Sequence, residues 1–196
     1  MLSSSKRAVE LVVALVLLVA AFPFLALLWL LIRVESPGPA LYRQSRVGRR
    51  GELFTLFKLR TMAQDAESAS GPVWTEPEND PRITRLGRFL RALRLDELPQ
   101  LWNVAKGDMS FVGPRPERPH FVKTLRLVVP YYDERHAVRP GITGWAQVKF
   151  GYGSTIEDSE TKLQFDLYYV KNMSLLLDVA IIIETFKVML LGRGAR

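Results

Sequence analysis

The segment Leu95-Asp96-Glu97-Leu98-Pro99-Gln100 places two adjacent carboxylates where one helix must end and another can begin. Apolar residues recur at helical spacing on both sides of it, at Leu86, Phe89, Leu90 and Leu93 upstream and at Leu98, Leu101 and Trp102 downstream. Pro99 cannot continue the first helix, because its ring would clash with the carbonyl of Leu95. The pattern predicts a break near Leu95, with Asp96 at or near the N-cap of the second helix and Pro99 in its first turn.

Two interpretations of this carboxylate pair are open. Asp and Glu often satisfy the free N–H groups of a helix N-terminus and complement its dipole, which is a purely structural role. The neighbouring residues favour a functional role, since Arg115 follows between two prolines and arginines precede the pair at every third position, at Arg85, Arg88, Arg91 and Arg94. Carboxylates among guanidinium groups suit a polyanion that is bound with a metal ion.

The composition narrows the chemistry that the chain can perform. Its 196 residues predict one domain plus an accessory segment, and they carry a net charge of +7, no cysteine and only two histidines. Without cysteine, disulfides, thiol nucleophiles and thiolate zinc sites are excluded. Two histidines leave almost no material for a histidine-rich metal site or a Ser-His-Asp triad. A catalytic site would have to use carboxylates and cations.

An apolar run at residues 11–32 predicts a segment that enters a membrane. As a helix it would be about 33 Å long, against about 30 Å for the hydrocarbon core of a bilayer. Basic residues are more numerous after the run than before it, which favours a cytoplasmic C-terminal side. Pro23 removes a backbone hydrogen bond in the middle of the run and kinks the helix. From the residues alone, a crossing helix and a re-entrant helix that turns at Pro23 both remain possible.

Two short runs at 40–44 and 53–59 flank a turn rich in Gly and Arg and predict a β-hairpin. Strand alternation places Lys58 and Arg60 on one face, which is either a solvated, charge-protected strand edge or part of an anion site. Residues 63–81 are predicted as a surface loop.

The remaining segments are less regular. Thr84 or Asp80-Pro81 could cap the helix that carries the arginines. Residues 106–116 are too broken by Gly and Pro to predict regular structure, although Pro114 and Pro116 restrict the backbone around Arg115.

Three features lie towards the end of the chain. Trp145 could support a base or a membrane interface. Asp166 has Lys162 at i−4 and could form an ordinary surface pair, so by itself it is weak support for a site. Residues 173–191 are apolar but contain charges, which favours a helix that lies in the membrane interface over a second crossing.

Several motifs occur in a fixed order from the membrane segment to the end of the chain. They are Lys58 with Arg60-Thr61-Met62, and the segments 95–101, 106–116, 139–147 and 166–169. Together they resemble the bacterial sugar transferase family, the monotopic phosphoglycosyl transferases or polyprenyl glycosylphosphotransferases. Where that family has a Ser-Pro pair in its membrane helix, this chain has Phe22-Pro23.

The resemblance implies a fold and a location. The fold is α+β and predominantly helical, with an N-terminal re-entrant membrane helix broken at Pro23, a small β-hairpin and interfacial amphipathic helices. Residues 1–33 would form the membrane-inserted segment. Residues 34–196 would form the catalytic domain on the cytoplasmic face of the bacterial inner membrane.

The resemblance also implies an activity, which is transfer of a sugar 1-phosphate from a UDP-sugar to undecaprenyl phosphate in the phospholipid bilayer, with release of UMP. This is the first membrane step of exopolysaccharide or other glycoconjugate synthesis. Asp96 would be the nucleophile that forms an aspartyl-phosphosugar, and Glu97 with Asp96 would hold Mg²⁺. The implied substrate-binding residues are Lys58, Arg91, Arg115 and Asp166.

Two other functions are possible for a basic chain with a membrane segment. A glycosyl transferase would release UDP and commonly uses an Asp-x-Asp motif, which the chain lacks. A non-enzymatic basic adaptor at the membrane surface would need neither the Asp-Glu pair nor an arginine between prolines. No nucleic-acid partner is expected, and the donor is expected to be UDP-glucose or UDP-galactose. The oligomeric state, and whether the chain is part of a longer protein, are left open.

Overall fold

The computed structural model describes residues 2–66, 80–150 and 155–190. Most of these residues are helical. The helices are α1 (Leu2–Glu35), α2 (Arg85–Ala92), α3 (Gln100–Lys106), α4 (Pro119–Val128), α5 (Trp145–Lys149), α6 (Ile156–Asn172) and α7 (Leu175–Leu190). The strands are β1 (Leu41–Val47), β2 (Leu53–Leu59), β3 (Ser110–Val112) and β4 (Gly141–Thr143), and 3₁₀ turns occur at Arg49–Gly51, Leu95–Glu97 and Tyr132–Ala137. The predicted helical character with a small hairpin is confirmed.

The hairpin pairs β1 and β2 in antiparallel register from Leu41↔Leu59 to Val47↔Leu53. Leu56 and Leu59 are both buried, although strand alternation places them on opposite faces. Leu56 packs with Val104 of α3, and Leu59 packs with Leu28 of α1. Both faces of the hairpin are therefore covered, and Lys58 lies on the same face as Leu56.

Helix α1 runs without interruption through Pro23, so the structure does not show the helix break that was expected at this proline. Among the described residues it is the one helix that is long and apolar enough to cross a membrane; the candidate span is Ser5–Glu35, and its most apolar stretch of 18 residues has a mean hydropathy of 3.0. Ala14 near its start and Ile32 near its end are both buried against the rest of the protein. The side chains between them are mostly exposed and apolar.

Strands β3 and β4 form a second, parallel sheet, with Ser110 opposite Gly141 and Val112 opposite Thr143. The prediction of no regular structure at 106–116 was therefore wrong for this short strand. A Cβ on Gly141 would lie 2.1 Å from the backbone nitrogen of Gly113, so the close approach of the two segments requires glycine. The pairing joins residues far apart in sequence, which periodicity cannot detect.

Helix α2 begins at a cap that the sequence predicted. The Thr84 hydroxyl accepts a hydrogen bond from the Gly87 N–H at 2.9 Å, whereas Asp80 instead accepts bonds from the Arg82 guanidinium. An isolated bridge between Met62 and Ile83 joins the two ends of the predicted loop at 63–81. Most of that loop lies outside the described residues.

Besides α1, helices α2, α4 and α7 present large apolar side chains to the exterior. These side chains are Phe89 on α2, Leu127 and Val128 on α4, and Leu176, Val179, Ile183, Phe186 and Leu190 on α7. Such faces are typical of helices that lie on a membrane. The interfacial position of these helices stays a prediction.

Candidate active site

The two carboxylates lie in the 3₁₀ turn Leu95–Glu97, between α2 and α3. Arg94 precedes the turn with a left-handed backbone (φ 54°), which is uncommon outside glycine and redirects the chain after α2. Asp96 and Glu97 are each only 7% exposed. The predicted break near Leu95 is confirmed. Pro99 is the N-cap of α3, so Asp96 lies in the turn before that helix and does not cap it.

Lys58 projects from β2 towards the carboxylate pair. Its Nζ donates a hydrogen bond to Glu97 Oε1 at 2.8 Å and lies 3.9 Å from Asp96 Oδ2. Arg60, predicted to share a face with Lys58, lies just beyond the strand and donates to the carbonyls of Pro37 (2.6 Å) and Ser36 (2.8 Å) at the end of α1. Only one of the two cations therefore reaches the carboxylates.

A buried asparagine ties the strand of Lys58 to the helix that follows the carboxylates. Asn103 on α3 accepts a hydrogen bond from the Phe57 N–H at 3.1 Å and donates to the Thr55 carbonyl at 2.7 Å. Its side chain is fully buried. Asn103 therefore fixes the separation between Lys58 and the acidic turn.

Arg115 approaches the same pair from the loop after β3. Its Nη2 lies 3.3 Å from Glu97 Oε1. The loop is held on both sides of this residue, because Arg135 Nη2 donates to the Arg115 carbonyl at 3.0 Å and Arg46 Nη1 donates to the Pro116 carbonyl at 2.9 Å. The flanking prolines were expected to restrict the backbone of Arg115, and these two hydrogen bonds restrain it further.

Asp166 does not line this cluster. It is 1% exposed, and its Oδ2 accepts hydrogen bonds from Arg135 Nε at 2.9 Å and from Arg135 Nη2 at 2.7 Å. Arg135 in turn holds the Arg115 carbonyl. The structure therefore places Asp166 behind Arg115, where it positions the loop through Arg135.

Arg91 lies at the edge of the site. Its Nε donates to the Thr61 hydroxyl at 2.8 Å, and its charge is near enough to Asp96 to help lower the pKa of that carboxyl. Thr61 belongs to the predicted motif after Lys58. Arg91 therefore joins α2 to the end of the hairpin beside the carboxylate pair.

The two carboxyl groups have opposite pKa shifts. Burial raises the pKa of Asp96 above its ordinary value, although Lys58 opposes this shift. Burial would also raise the pKa of Glu97, but Lys58 and Arg115 outweigh it and hold that pKa well below its usual range. Paired carboxyls with separated pKa values are typical of acidic groups with different roles.

The donor set of the site fits a hard divalent cation that also binds phosphate. No group of three or more His, Asp or Glu side chains lies together among the described residues. Mg²⁺ commonly takes one or two protein carboxylates and completes its shell with substrate phosphate and water. Glu97, which stays ionised, and the adjacent Asp96 match that pattern.

Three positioning residues were missed by the sequence reasoning: Arg46, Asn103 and Arg135. Each acts through a partner that is distant in sequence, so no local pattern marks it. Arg135 lies directly before one of the two histidines and shortly before the segment 139–147. Its position near that motif was the sequence feature that could have identified it.

The family model described as "Bacterial sugar transferase" matches residues 1–192 of the chain. The chain therefore belongs to the bacterial sugar transferase family.

Curated relatives cover most of the chain. It is 44% identical over 97% of its length to UDP-N-acetylgalactosamine-undecaprenyl-phosphate N-acetylgalactosaminephosphotransferase of Aeromonas hydrophila, and it covers 45% of that protein. It is 40% identical over 97% of its length to undecaprenyl-phosphate glucose phosphotransferase of Komagataeibacter xylinus, covering 36% of it. With exopolysaccharide production protein PSS of Rhizobium leguminosarum the identity is 42%, over 92% of each chain. The chain thus spans less than half the length of the first two relatives.

Proposed function

We propose that the chain is a phosphoglycosyl transferase that moves a sugar 1-phosphate from a UDP-sugar to undecaprenyl phosphate. The observation that carries this proposal is the buried Asp96–Glu97 pair, with Lys58 on one side and Arg115 on the other. The names of the relatives support the same substrates, since they include undecaprenyl-phosphate phosphotransferases for N-acetylgalactosamine and glucose.

In the first step an Asp96 carboxylate oxygen attacks the phosphorus that bears the sugar. The bond from that phosphorus to the bridging oxygen breaks, UMP leaves with the electron pair, and an aspartyl-phosphosugar forms. The approach of a carboxylate to a diphosphate brings two anions together, and at a partly dehydrated site their repulsion is worth about 4 kcal/mol at 4 Å. Lys58 and Arg115 offset this repulsion because their charges are fixed within the cluster.

Glu97 has a different role from its neighbour. Lys58 and Arg115 hold the pKa of Glu97 well below its usual range, so it is ionised and a poor proton carrier. When bound, Mg²⁺ supplies charge neutralisation at the diphosphate, with Glu97 and Asp96 as its protein ligands. Glu97 also accepts the hydrogen bond that orients Lys58.

In the second step a phosphate oxygen of undecaprenyl phosphate attacks the same phosphorus. The bond to the Asp96 oxygen breaks, which restores the carboxylate and yields undecaprenyl diphosphate sugar. Since this acceptor keeps its tail in the bilayer, the site must lie at the membrane surface. The exposed apolar side chains of α4 and α7 support such a position.

The contacts of α1 support a re-entrant path through the membrane. Lys6 near its start pairs with Asp178 of α7 at 2.7 Å, and Arg7 donates to the Ala105 carbonyl at 2.7 Å. At its other end, Arg60 binds the carbonyls of Ser36 and Pro37. Both ends thus contact the same folded domain, so they belong on one side of the bilayer, with the exposed middle of the helix in the hydrocarbon.

The reaction is tested by incubating the detergent-purified protein with Mg²⁺, undecaprenyl phosphate and a panel of UDP-glucose, UDP-galactose and UDP-N-acetylgalactosamine. The proposal expects release of UMP, and not UDP, with at least one donor. Asp96→Asn should abolish release, whereas Glu184→Gln on the exposed side of α7 should leave it unchanged. UDP as the product would favour a glycosyl transferase, and undiminished activity of Asp96→Asn would exclude the proposed nucleophile.

The path of α1 is tested with single cysteines, because the chain contains none of its own. Ser5→Cys and Val34→Cys place thiols at exposed positions near the two ends of the helix. A membrane-impermeant maleimide should label neither variant in intact cells and both in inverted vesicles. Labelling of one end in intact cells and of the other only in inverted vesicles would show that the helix crosses.

A further inference from the structure

A cavity of about 70 Å³ lies beside the first turns of α1 and shares no lining residue with the candidate active site. It is enclosed by α1, strand β3, the end of α6 and the segments that follow the two 3₁₀ turns of the outer domain. Since one water needs about 10–15 Å³ of such space, the cavity has room for the four oxygens of a phosphate group. Its polar wall consists of Lys6, Glu10, Arg49, Ser110, Arg139 and Tyr169.

Two arginines of this wall are held in place without an acidic partner. Arg49 Nε donates to the Ala137 carbonyl at 3.3 Å, and Arg139 Nε donates to the Gly107 carbonyl at 2.9 Å. Neither guanidinium makes any other hydrogen bond or ion pair within the part of the chain that the structure describes. Each therefore keeps its terminal nitrogens available, which is the arrangement that binds two oxygens of a phosphate.

The other charges of the cavity are paired within the protein. Lys6 forms an ion pair with Asp178 of α7 at 2.7 Å. Glu10 accepts a hydrogen bond from the Ser110 hydroxyl and lies 3.8 Å from Lys6. Three positive side chains thus face two negative ones, so one positive charge is left uncompensated. A phosphodiester carries one negative charge and would balance it.

The cavity lies where the polar start of α1 gives way to its apolar run. Glu10 lines the cavity, and the run begins at the next residue, with Leu11 and Val12 exposed. On α7, the partner of Lys6 is likewise flanked by the exposed apolar side chains of Leu176 and Val179. A boundary between charged and exposed apolar side chains is typical of the headgroup level of a bilayer.

We infer that this cavity binds the phosphate of a phospholipid headgroup, with Arg49 and Arg139 as its ligands. The acyl chains of such a lipid would lie along the exposed apolar side chains of α1. The lipid source of the phosphate rests on the path of α1 proposed above, because that path places the cavity at the membrane surface. A soluble phosphate would be recognised by the same chemistry, and the test distinguishes the two sources.

The test is native mass spectrometry of the full chain in detergent, after removal of co-purified lipid. The protein is titrated with phosphatidylglycerol and with a diacylglycerol of the same acyl chains, which lacks the phosphate, and inorganic phosphate is added as a competitor. The variants are Arg49→Gln and the double variant Arg49→Gln with Arg139→Gln. The matched control, Arg43→Gln with Arg50→Gln, removes two exposed charges of the same hairpin that do not line the cavity.

The wild-type protein should bind one phosphatidylglycerol at least tenfold more tightly than diacylglycerol. The double variant should weaken phosphatidylglycerol binding by about tenfold, as expected for loss of charge-assisted hydrogen bonds, and its control by less than twofold. Arg49→Gln alone should weaken binding by about threefold without lowering the Tm, which separates loss of the site from loss of the fold. Unchanged binding in the double variant, an equal loss in its control, or diacylglycerol binding as tight as that of phosphatidylglycerol would overturn the inference.

Two further arms locate the phosphate and its source. Lys58→Met alters the candidate active site and should leave phosphatidylglycerol binding unchanged; a tenfold loss would place the lipid at the carboxylate pair and overturn the inference. Displacement of the lipid by an equal concentration of inorganic phosphate would assign the cavity to a soluble phosphate and overturn the lipid source. Because the measurement uses neither a UDP-sugar nor undecaprenyl phosphate, its failure is distinct from an absence of UMP release.

Discussion

Replacing Asp166 with alanine should destabilise the protein, because it leaves the charge of Arg135 buried without its partner. The side chains of Asp166 and Arg135 are 2% and 6% exposed and are joined at 2.7 Å. Loss of one member of such a buried pair typically costs about 3–5 kcal/mol. For a chain of this length each kcal/mol lowers the Tm by about 2–4 °C, so the expected decrease is about 6–20 °C.

The assay is thermal unfolding in detergent, followed by tryptophan fluorescence and combined with steady-state kinetics. The double variant Asp166→Ala with Arg135→Met removes both charges and should recover part of the lost Tm. Its activity should stay low, because the hydrogen bond from Arg135 to the Arg115 carbonyl is missing. Asp133→Ala is the control, since its pair with Arg126 is about half exposed and is worth under about 1 kcal/mol.

Two results would contradict a supporting role of Asp166. If Asp166→Ala retained the wild-type Tm and raised KM for the nucleotide sugar as strongly as Arg115→Ala, then Asp166 would contact substrate directly. If the double variant regained full activity, the anchor on the Arg115 loop would have no function.

Three further predictions concern the site and its support. Lys58→Met removes a positive charge that lowers the pKa of Asp96, so that pKa should rise further. The acidic limb of the pH profile of kcat/KM should therefore move to higher pH. An acidic limb that stays in place or moves to lower pH would contradict this prediction. A change from Gly to Ala inside a helix usually stabilises it by about 1 kcal/mol. Gly87→Ala should instead lower the Tm, because the new Cβ would lie 2.1 Å from the Thr61 carbonyl oxygen. A higher Tm would show that α2 can move away from Thr61. Chelation of divalent cations should abolish UMP release, and Glu97→Gln should raise the Mg²⁺ concentration needed for half-maximal rate; full activity in chelator would exclude the metal.

The local elements could be predicted because their signals are local. Alternation and turn residues define the hairpin, the Thr84 cap defines the start of α2, and Pro99 marks the start of α3 after the break. The long apolar run corresponds to α1. These features depend on neighbours within a few residues, which the sequence displays directly.

The supporting contacts of the site could not be predicted in the same way. The pairing of β3 with β4 and the tie from Asn103 to β2 each join segments separated by tens of residues. Asp166 is buried against Arg135, and no periodic pattern in the sequence identifies these two residues as a pair. The motifs indicated the candidate site residues. The fold distinguished Lys58 and Arg115, which face the carboxylates, from Asp166, which acts through Arg135 on the Arg115 loop.

The most direct measurement of the central claim is the intact mass of the protein after exposure to a UDP-sugar and Mg²⁺ without undecaprenyl phosphate. The account predicts a gain of one sugar phosphate, its absence in Asp96→Asn, and its loss when undecaprenyl phosphate is added. If the mass never changes while the wild-type protein and Asp96→Asn both form the lipid product, Asp96 is not the nucleophile.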